Sequence, residues 1–294
     1  MNSTPAAIPV RCLQLKMRHY LLLLLHFSSC TLFGQTPNRD TTNKFKKLNI
    51  ILMSGSSIVL QDGIINTEES KSFMTFYNDN GKPIEERIAN IKDRSGIIYK
   101  YQYDSKCNDF QKWEWLKFNG NKIDTIQIQQ ITFDNICKIK KIVWKDSTGR
   151  VTDIRHLEFD NKGRQLKEVD KDRKGKITSF VIYSYPDSFI IDKIGFFGDS
   201  TFWYHSQEHF DEKGNRINSV SFDEKGSKST DNEKTEYIYS GDKLTEEITY
   251  NAEGKSTSKT SYSYNNDNLV DRIISKLTNS DTETITIYRY RKKN

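Results

Sequence analysis

The chain has 294 residues, of which 29% are charged and 12% aromatic. This aromatic content excludes a disordered chain, because disordered segments are poor in aromatic and β-branched residues. The formal net charge of +6 falls to +3 without the first 34 residues, which carry three basic and no acidic side chains. That balance excludes the basic footprint of a nucleic-acid-binding domain, so no nucleic-acid partner is expected.

The first predicted element is a signal peptide over residues 1–34. Arg11, Lys16 and Arg18 precede the apolar run of residues 20–34 (YLLLLLHFSSCTLFG). A basic region before an apolar core of about 7–15 residues is typical of secretory signals, whereas a membrane-spanning helix needs about 20 apolar residues. A membrane anchor and a buried N-terminal helix are the alternatives. We predict export to the periplasm, the outer-membrane surface or the extracellular space.

Two processing routes of this signal are open. Cleavage after Gly34 leaves a soluble protein, whereas the degenerate lipobox FSSC makes Cys30 a lipidated N-terminus. We favour the soluble route, because Phe27 stands where a lipobox has a small aliphatic residue. The only expected membrane contact is a lipid anchor at Cys30, and both Met1 and Met17 are candidate start sites.

A polar spacer is predicted over residues 35–47 (QTPNRDTTNKFKK), and an N-terminal hairpin over residues 48–75. Two apolar runs flank residues 54–56 (SGS), which we expect to form the turn of that hairpin. Because the first unit of a repeat array needs protection at its outer face, the hairpin is predicted to cap the array.

A repeat of about 26 residues fills the chain from residue 76 to residue 294. Its anchor is an aromatic residue, usually followed by Asp or Asn, and successive anchors are 26, 30, 26, 26, 25, 29, 25 and 26 residues apart. An apolar residue usually stands two positions earlier, which places both side chains on one face of a strand. The anchors are Tyr77, Tyr103, Phe133, Phe159, Tyr185, Phe210, Tyr239, Tyr264 and Tyr290.

Each anchor is followed by a predicted turn. In residues 160–163 (DNKG) and 211–214 (DEKG), Asp stands first and Gly fourth, as suits a type I turn whose Gly takes a positive φ. An aliphatic residue such as Leu166 then begins the return strand. A second, weaker turn stands halfway along most units, as in residues 172–175 (DRKG). Each unit is therefore predicted to supply two strands and two turns.

The sequence Phe159-Asp-Asn-Lys-Gly-Arg164 resembles the YD repeat of RHS-type proteins, and the resemblance covers about residues 76–290. RHS proteins use many such repeats to wall a closed shell around a toxin. The resemblance implies an architecture rather than an activity, since a fold does not confer a function. We predict an all-β fold, an elongated twisted antiparallel sheet or β-solenoid of about 16–20 strands built from tandem two-strand YD-like repeats.

The mature chain holds two cysteines, Cys107 and Cys137, at equivalent places four residues after anchors Tyr103 and Phe133. Two strands about 4.8 Å apart per repeat separate these places by about 10 Å. That distance exceeds the Cα limit of about 7 Å for a disulfide. We therefore expect two free thiols, although an exported protein permits pairing.

The sharpest catalytic motif is His205-Ser-Gln-Glu-His209, which matches the H-x-x-E-H pattern of inverzincins. That pattern binds zinc on a helix. The alternation around it predicts a strand, on which residues four apart are separated by about 13 Å. No catalytic, cofactor-binding or metal-binding residues are therefore predicted, and no cofactor.

Aromatic clusters are the best candidates for a binding surface. Trp113 and Trp115 share one strand face and are predicted to make a flat platform, with Phe118 in the same unit, and Trp203 and Tyr204 form a second cluster. Packing of these rings inside the fold is the alternative reading.

These observations predict an exported, non-enzymatic binding or scaffold module of the cell envelope or the extracellular space. Its expected partner is a protein or an envelope polysaccharide. A glycan-directed hydrolase and an interaction or immunity protein linked to RHS toxins are the alternatives.

Overall fold

The computed structural model describes four segments of the chain: residues 39–93, 95–107, 109–226 and 234–293. The predicted processing sites Cys30 and Gly34 lie outside them. The chain begins with helix α1 (Arg39–Lys47). Eighteen strands follow: β1 (Ile50–Gln61), β2 (Ile64–Tyr77), β3 (Pro83–Asn90), β4 (Gly96–Tyr103), β5 (Phe110–Asn119), β6 (Lys122–Phe133), β7 (Ile139–Asp146), β8 (Val151–Phe159), β9 (Gln165–Asp172), β10 (Ile177–Ser184), β11 (Ile190–Phe197), β12 (Phe202–Phe210), β13 (Arg216–Phe222), β14 (Lys234–Ser240), β15 (Lys243–Tyr250), β16 (Ser256–Tyr264), β17 (Val270–Leu277) and β18 (Thr282–Lys292).

The strands form one closed sheet. Each strand pairs antiparallel with the next, and β1 pairs with β18 from Ile50 opposite Lys292 to Gln61 opposite Thr282. The all-β antiparallel class and the expected strand number are confirmed, but the elongated sheet or solenoid is wrong. The chain closes into an 18-stranded barrel, because pairing the first strand with the last removes both exposed edges of the sheet.

Each anchor lies within two residues of the end of an even-numbered strand, and the turns after β2, β6, β8, β12 and β16 share one hydrogen-bond geometry. In the turn after β8, the backbone N–H of Gly163 donates to the Asp160 carbonyl at 3.0 Å, and Asp160 Oδ1 accepts the Arg164 N–H at 2.8 Å. Gly163 has φ +84°, which is why glycine is favoured there. We call the end of the barrel that carries these turns the mouth, and the opposite end the far rim.

The anchor tyrosines tie neighbouring units together at the mouth. The hydroxyl of Tyr264 donates to the carbonyl of Leu244 at 2.7 Å, at the start of the preceding return strand. The same bond recurs from Tyr103 to Pro83, Tyr185 to Gln165, Tyr239 to Arg216 and Tyr290 to Val270. This bond explains why tyrosine recurs at the anchor.

The basic residue of the turn motif also contacts the next unit. Arg164 lies over the ring of Tyr185 at 4.5 Å, and Lys138 lies over the ring of Phe159 at 5.7 Å. Such cation–π contacts contribute roughly 0.5–1 kcal/mol at exposed sites. The basic residue of the motif therefore joins its turn to the anchor of the next unit.

One face of the sheet forms the barrel interior and the other its outer wall. Interior side chains are almost fully buried, as are Thr75, Tyr99, Val181, Ile273 and Tyr288. Their sequence neighbours point outward and are exposed, as are Met74, Ile182, Ile238 and Ile287. The period of two predicted for the strands places these two sets on opposite faces. Within the described segments, no helix is long and apolar enough to cross a membrane.

The N-terminal region differs from the prediction in two ways. Residues 39–47 form helix α1 instead of a spacer, and Phe45, which is 2% exposed, packs edge-on against Tyr77 with ring centroids 4.7 Å apart. The hairpin of β1 and β2 turns at residues 62–63, not at residues 54–56, because Gly55 lies inside β1 opposite Tyr288. The hairpin closes the barrel instead of capping an array.

Cys107 and Cys137 form a disulfide, with Cα atoms 5.1 Å apart, so the expectation of two free thiols is wrong. The expected separation assumed the spacing of strands, but both cysteines lie in loops beyond the strand ends, where neighbouring loops approach each other. Cys137 occupies the fourth position of its turn with φ +62°, where the turns after β2, β8 and β12 have glycine.

Candidate binding surfaces

The barrel interior carries a repeated pairing of tyrosine with glutamate. Tyr262 donates to Glu247 at 2.9 Å, and the pairs Tyr101–Glu86 and Tyr183–Glu168 repeat it. Burial raises the pKa of all three glutamates above the usual range. For Glu86 the pKa rises to about 7, since burial is opposed only by the hydrogen bond from Tyr101.

Further interior charges form two compact ion-pair groups. Arg155 binds Asp170 through two hydrogen bonds of 2.7 and 2.9 Å, and it binds Glu168 at 2.8 Å. Glu208 lies 2.9 Å from Lys193 and 3.3 Å from Arg216. Buried charges need such partners, because an isolated one is strongly destabilising. The carboxylates of these two groups are engaged in structural pairs inside the barrel.

The structure places the predicted tryptophan platform inside the barrel. Trp113 and Trp115 lie opposite Tyr101 and Tyr99, so they share one face as predicted, and this face is interior. The ring of Trp113 stacks on the ring of Tyr99 with centroids 5.3 Å apart and an interplanar angle of 10°. Phe118, near the far-rim end of the same strand, is half-buried.

The second predicted cluster stays together on the inner face of the sheet. Tyr204 points inward, where its ring covers Gly195 on the neighbouring strand, and burial raises its pKa to about 12. Trp203 is the extra residue of a β-bulge, since Gly195 pairs with Tyr204 and Phe196 with Phe202, and a bulge lets consecutive residues share a face. Its ring lies 5.0 Å from that of Tyr204 and stacks on that of Phe197, and 38% of its surface is exposed at the far rim.

A row of rings on the outer wall, which we call the outer aromatic stripe, consists of Phe180, Phe196, His205 and Phe222. Phe180 pairs with Phe196 across β10 and β11, and His205 pairs with Phe222 across β12 and β13. The ring centroids of these two pairs are 5.0 and 4.7 Å apart, with interplanar angles of 22° and 30°. The rings therefore cover one another's faces and present their edges to the solvent.

The two histidines of the H-x-x-E-H motif lie on strand β12, as the alternation predicts. His205 points outward and its Nε2 lies 2.8 Å from Asp192 Oδ1 on the adjacent strand. Among the described residues, no three His, Cys, Asp or Glu side chains gather in a way that would hold a metal ion.

A cleft of about 370 Å³ opens in the mouth between the turn after β6 and the end of β8. Ile136, Ile139, Leu157 and Phe159 form its apolar wall, and its polar wall consists of Asp134, Lys138, Lys140 and Asp160. Pockets of about 300–1,000 Å³ with apolar walls and a few polar groups are typical ligand sites, and barrel mouths are one of their usual places. Beneath α1, on another part of the mouth, a cavity has a volume of only about 10 Å³.

Sequence reasoning missed the interior glutamates and the cleft. A signal for the first existed, since Glu86 and Glu168 each stand nine residues after an anchor and Glu247 eight. A signal for the cleft was Ile136. This apolar residue stands at the third position of its turn, where other units have a polar residue (Asn80, Lys162, Lys213).

No protein-family model and no curated protein matches this sequence. Among solved structures, the chain is similar to a porin-like protein from Bacteroides uniformis, with 11% identity and a TM-score of 0.43, over 82% of this chain and 98% of that one.

The comparison with solved structures gives two further similarities. A DUF1329 family protein from Desulfovibrio piger has 8% identity and a TM-score of 0.27, over 85% of this chain and 89% of that one. A LolA superfamily protein from Nitrosomonas europaea has 7% identity and a TM-score of 0.24, over 87% of this chain and 93% of that one. At these values none of the three assigns a family or a function to this chain.

Proposed function

We propose that this protein is an exported, non-enzymatic binding or scaffold module that holds a partner protein on the outer wall of its barrel. The outer aromatic stripe is the observation that supports this proposal. Its rings are half-buried and Ile182 beside them is 44% exposed, and aromatic residues are enriched in protein–protein interfaces. Contiguous apolar groups exposed on a protein surface commonly mark interaction sites.

The geometry of the rings favours a protein over a polysaccharide as the partner. A sugar platform needs a ring face that is open to the solvent, whereas Phe180 and Phe196 are stacked at 22° and His205 and Phe222 lie at 30° to each other. Ring edges and half-buried apolar side chains match the apolar core of a protein interface. The YD-like character of the repeat remains part of this proposal as an architectural resemblance.

Site-specific photo-crosslinking in the native host tests this function. A benzophenone side chain replaces Phe196 in the full chain, and the matched control carries it at Ile238, an outward residue of β14 that is 40% exposed. We expect one discrete crosslinked protein from position 196 and none from position 238. The same pattern from both positions, or no product from position 196, would contradict the proposal.

Export is tested separately by the mass of the mature N-terminal peptide in membrane and soluble fractions. A peptide that begins at residue 35 in the soluble fraction supports a soluble exported protein, and a lipidated Cys30 supports a tethered one. An uncleaved N-terminus would contradict export.

A further inference from the structure

The unit that contains Ile136 departs from the repeat pattern at two positions, and both line the mouth cleft. Ile136 stands at the third position of its turn and is 71% exposed, where other units have polar residues. Lys140 stands in the β-bulge that follows the turn, since Thr132 pairs with Lys141 and Phe133 with Ile139. A bulge leaves one residue unpaired and redirects its side chain.

The same bulge carries no cation in six other units. Its extra residue is aliphatic after β2, β8 and β12 (Ile84, Leu166 and Ile217) and polar or acidic after β4, β14 and β16 (Gln111, Thr245 and Asp271). At the cleft, therefore, an apolar residue replaces a polar one in the turn, and a cation stands in the bulge. These two features together give the pocket an apolar wall and a basic edge.

The acidic residues of the cleft are occupied by groups of their own turns. Asp134 Oδ1 accepts the backbone N–H groups of Ile136 and Lys138 at 2.9 Å each. Asp160 Oδ2 accepts from Arg164 Nε at 2.8 Å. Asp160 is thus paired with a cation of its own turn, and Asp134 accepts hydrogen bonds from its own turn.

The basic residues of the cleft, in contrast, have no acidic partner. Among the side chains that the structure describes, no carboxylate lies within ion-pair distance of Lys138 or Lys140, and the ammonium of Lys138 lies over the ring of Phe159. Lys141 and Lys171 increase the positive charge nearby. Burial, followed by the charges of Lys171, Lys141 and Lys140, lowers the pKa of His156 on β8. The cleft therefore favours an anion.

We propose that the mouth cleft binds a small anionic amphiphile, with its carboxylate at Lys138 and Lys140 and its aliphatic tail against Ile136, Ile139 and Leu157. A volume of about 370 Å³ suits a small molecule, and charge-assisted hydrogen bonds to ammonium groups are the strong kind. This site is independent of the proposed function, because the outer aromatic stripe lies on β10–β13, close to the far rim.

Titration of the mature chain with sodium octanoate, followed by amide NMR shifts, tests the site. We expect saturable shifts at residues 136–140 and at Phe159, with weaker binding at high salt. Acetate lacks the tail and 1-octanol lacks the charge, so both are expected to bind at least about tenfold more weakly. Equal binding of octanoate and 1-octanol, or no saturable shift at these amides, would overturn the proposal.

Charge variants locate the anion on the protein. The double variant Lys138→Gln/Lys140→Gln is expected to weaken octanoate binding at least about tenfold. The matched control Lys174→Gln/Lys225→Gln removes two exposed lysines from turns at the far rim and is expected to bind as the wild type does. The single variant Lys140→Gln, at an exposed bulge position, gives the same test if the double variant folds poorly. Equal affinity of the lysine variants and the control would also overturn the proposal.

Discussion

Two parts of the barrel mouth are built from the same repeat and differ in what covers them. Beside β1, β2 and β18, helix α1 lies over the anchors, and Phe45 packs against Tyr77 and Tyr290 with ring centroids 4.7 and 5.9 Å away. Between the turn after β6 and the end of β8, a cleft of about 370 Å³ borders the anchor Phe159. The repeat alone thus determines the wall of the barrel, and elements outside the repeat determine whether the mouth is filled.

The largest expected effect comes from a substitution in the part of the mouth that helix α1 fills. Phe45→Ala removes a ring that is 2% exposed and is expected to lower the free energy of unfolding by about 4 kcal/mol, because the cavity left in the core stays largely unfilled. Urea denaturation measures the loss. The control Ile136→Ala, at a side chain that is 71% exposed, is expected to cost less than about 0.5 kcal/mol. Equal losses would show that α1 does not stabilise the barrel.

The next effect concerns the disulfide beside the cleft. Cys107→Ser/Cys137→Ser opens a loop between residues 30 positions apart and is expected to lower the free energy of unfolding by about 3.5 kcal/mol, since the unfolded chain gains freedom. Urea denaturation with and without a reducing agent measures it. The reducing agent should destabilise the wild type by a similar amount and leave the double variant unchanged. A wild type that is insensitive to reduction would contradict the pairing.

The smallest expected effect is a pH dependence of the free energy of unfolding. It arises from Glu86, close to the part of the mouth that helix α1 fills. The pKa of Glu86 is about 7 in the folded protein, above its ordinary value of 4.5, so the folded state binds this proton more tightly than the unfolded state does. The contribution of Glu86 to stability is therefore greatest below pH 4.5, falls as the pH rises from 4.5 to 7, and is fully lost above pH 7. Glu86→Gln stays neutral and should be more stable than the wild type above pH 7, by about 3 kcal/mol at most.

Urea denaturation of the wild type and Glu86→Gln at pH 4 and pH 8 checks this difference, with equal stability expected at pH 4. The matched control is Glu236→Gln on the outer wall, where hydrogen bonds from Lys234 and Tyr250 lower the pKa of the carboxyl. This control should not gain stability at pH 8. An advantage of Glu86→Gln that is the same at both pH values would contradict the raised pKa.

Several parts of this structure could be predicted from the sequence, for local reasons. The spacing of the anchors and the turn residues located the strands, since a turn such as residues 160–163 depends only on its own Asp and Gly. The period of two correctly placed Trp113 and Trp115 on one face of β5. Whether that face points inward depends on closure of the sheet, so the same tryptophans could not be assigned to the interior or the surface.

The disulfide shows the limit of reasoning from strand spacing. Cys107 and Cys137 stand at equivalent positions of successive units, and strand geometry alone separates such positions by about 10 Å. Loops do not have to keep the spacing of strands, and the loops of Cys107 and Cys137 bring the Cα atoms of the two residues within 5.1 Å of each other. The cleft was missed for a similar reason, because Lys140 reaches it through a β-bulge that depends on pairing with β6.

The sequence by itself determined the local structure of this protein: antiparallel hairpins, an aromatic anchor at the end of each even-numbered strand, and the turn chemistry that joins one unit to the next. These features arise from residues within about 26 positions of one another. Only the tertiary structure decided that β1 pairs with β18, that Phe45 fills one part of the mouth and that Ile136 and Lys140 border an open cleft in another. Closure joins residues more than 200 positions apart, and the register of such a contact depends on the accumulated twist of every strand between them.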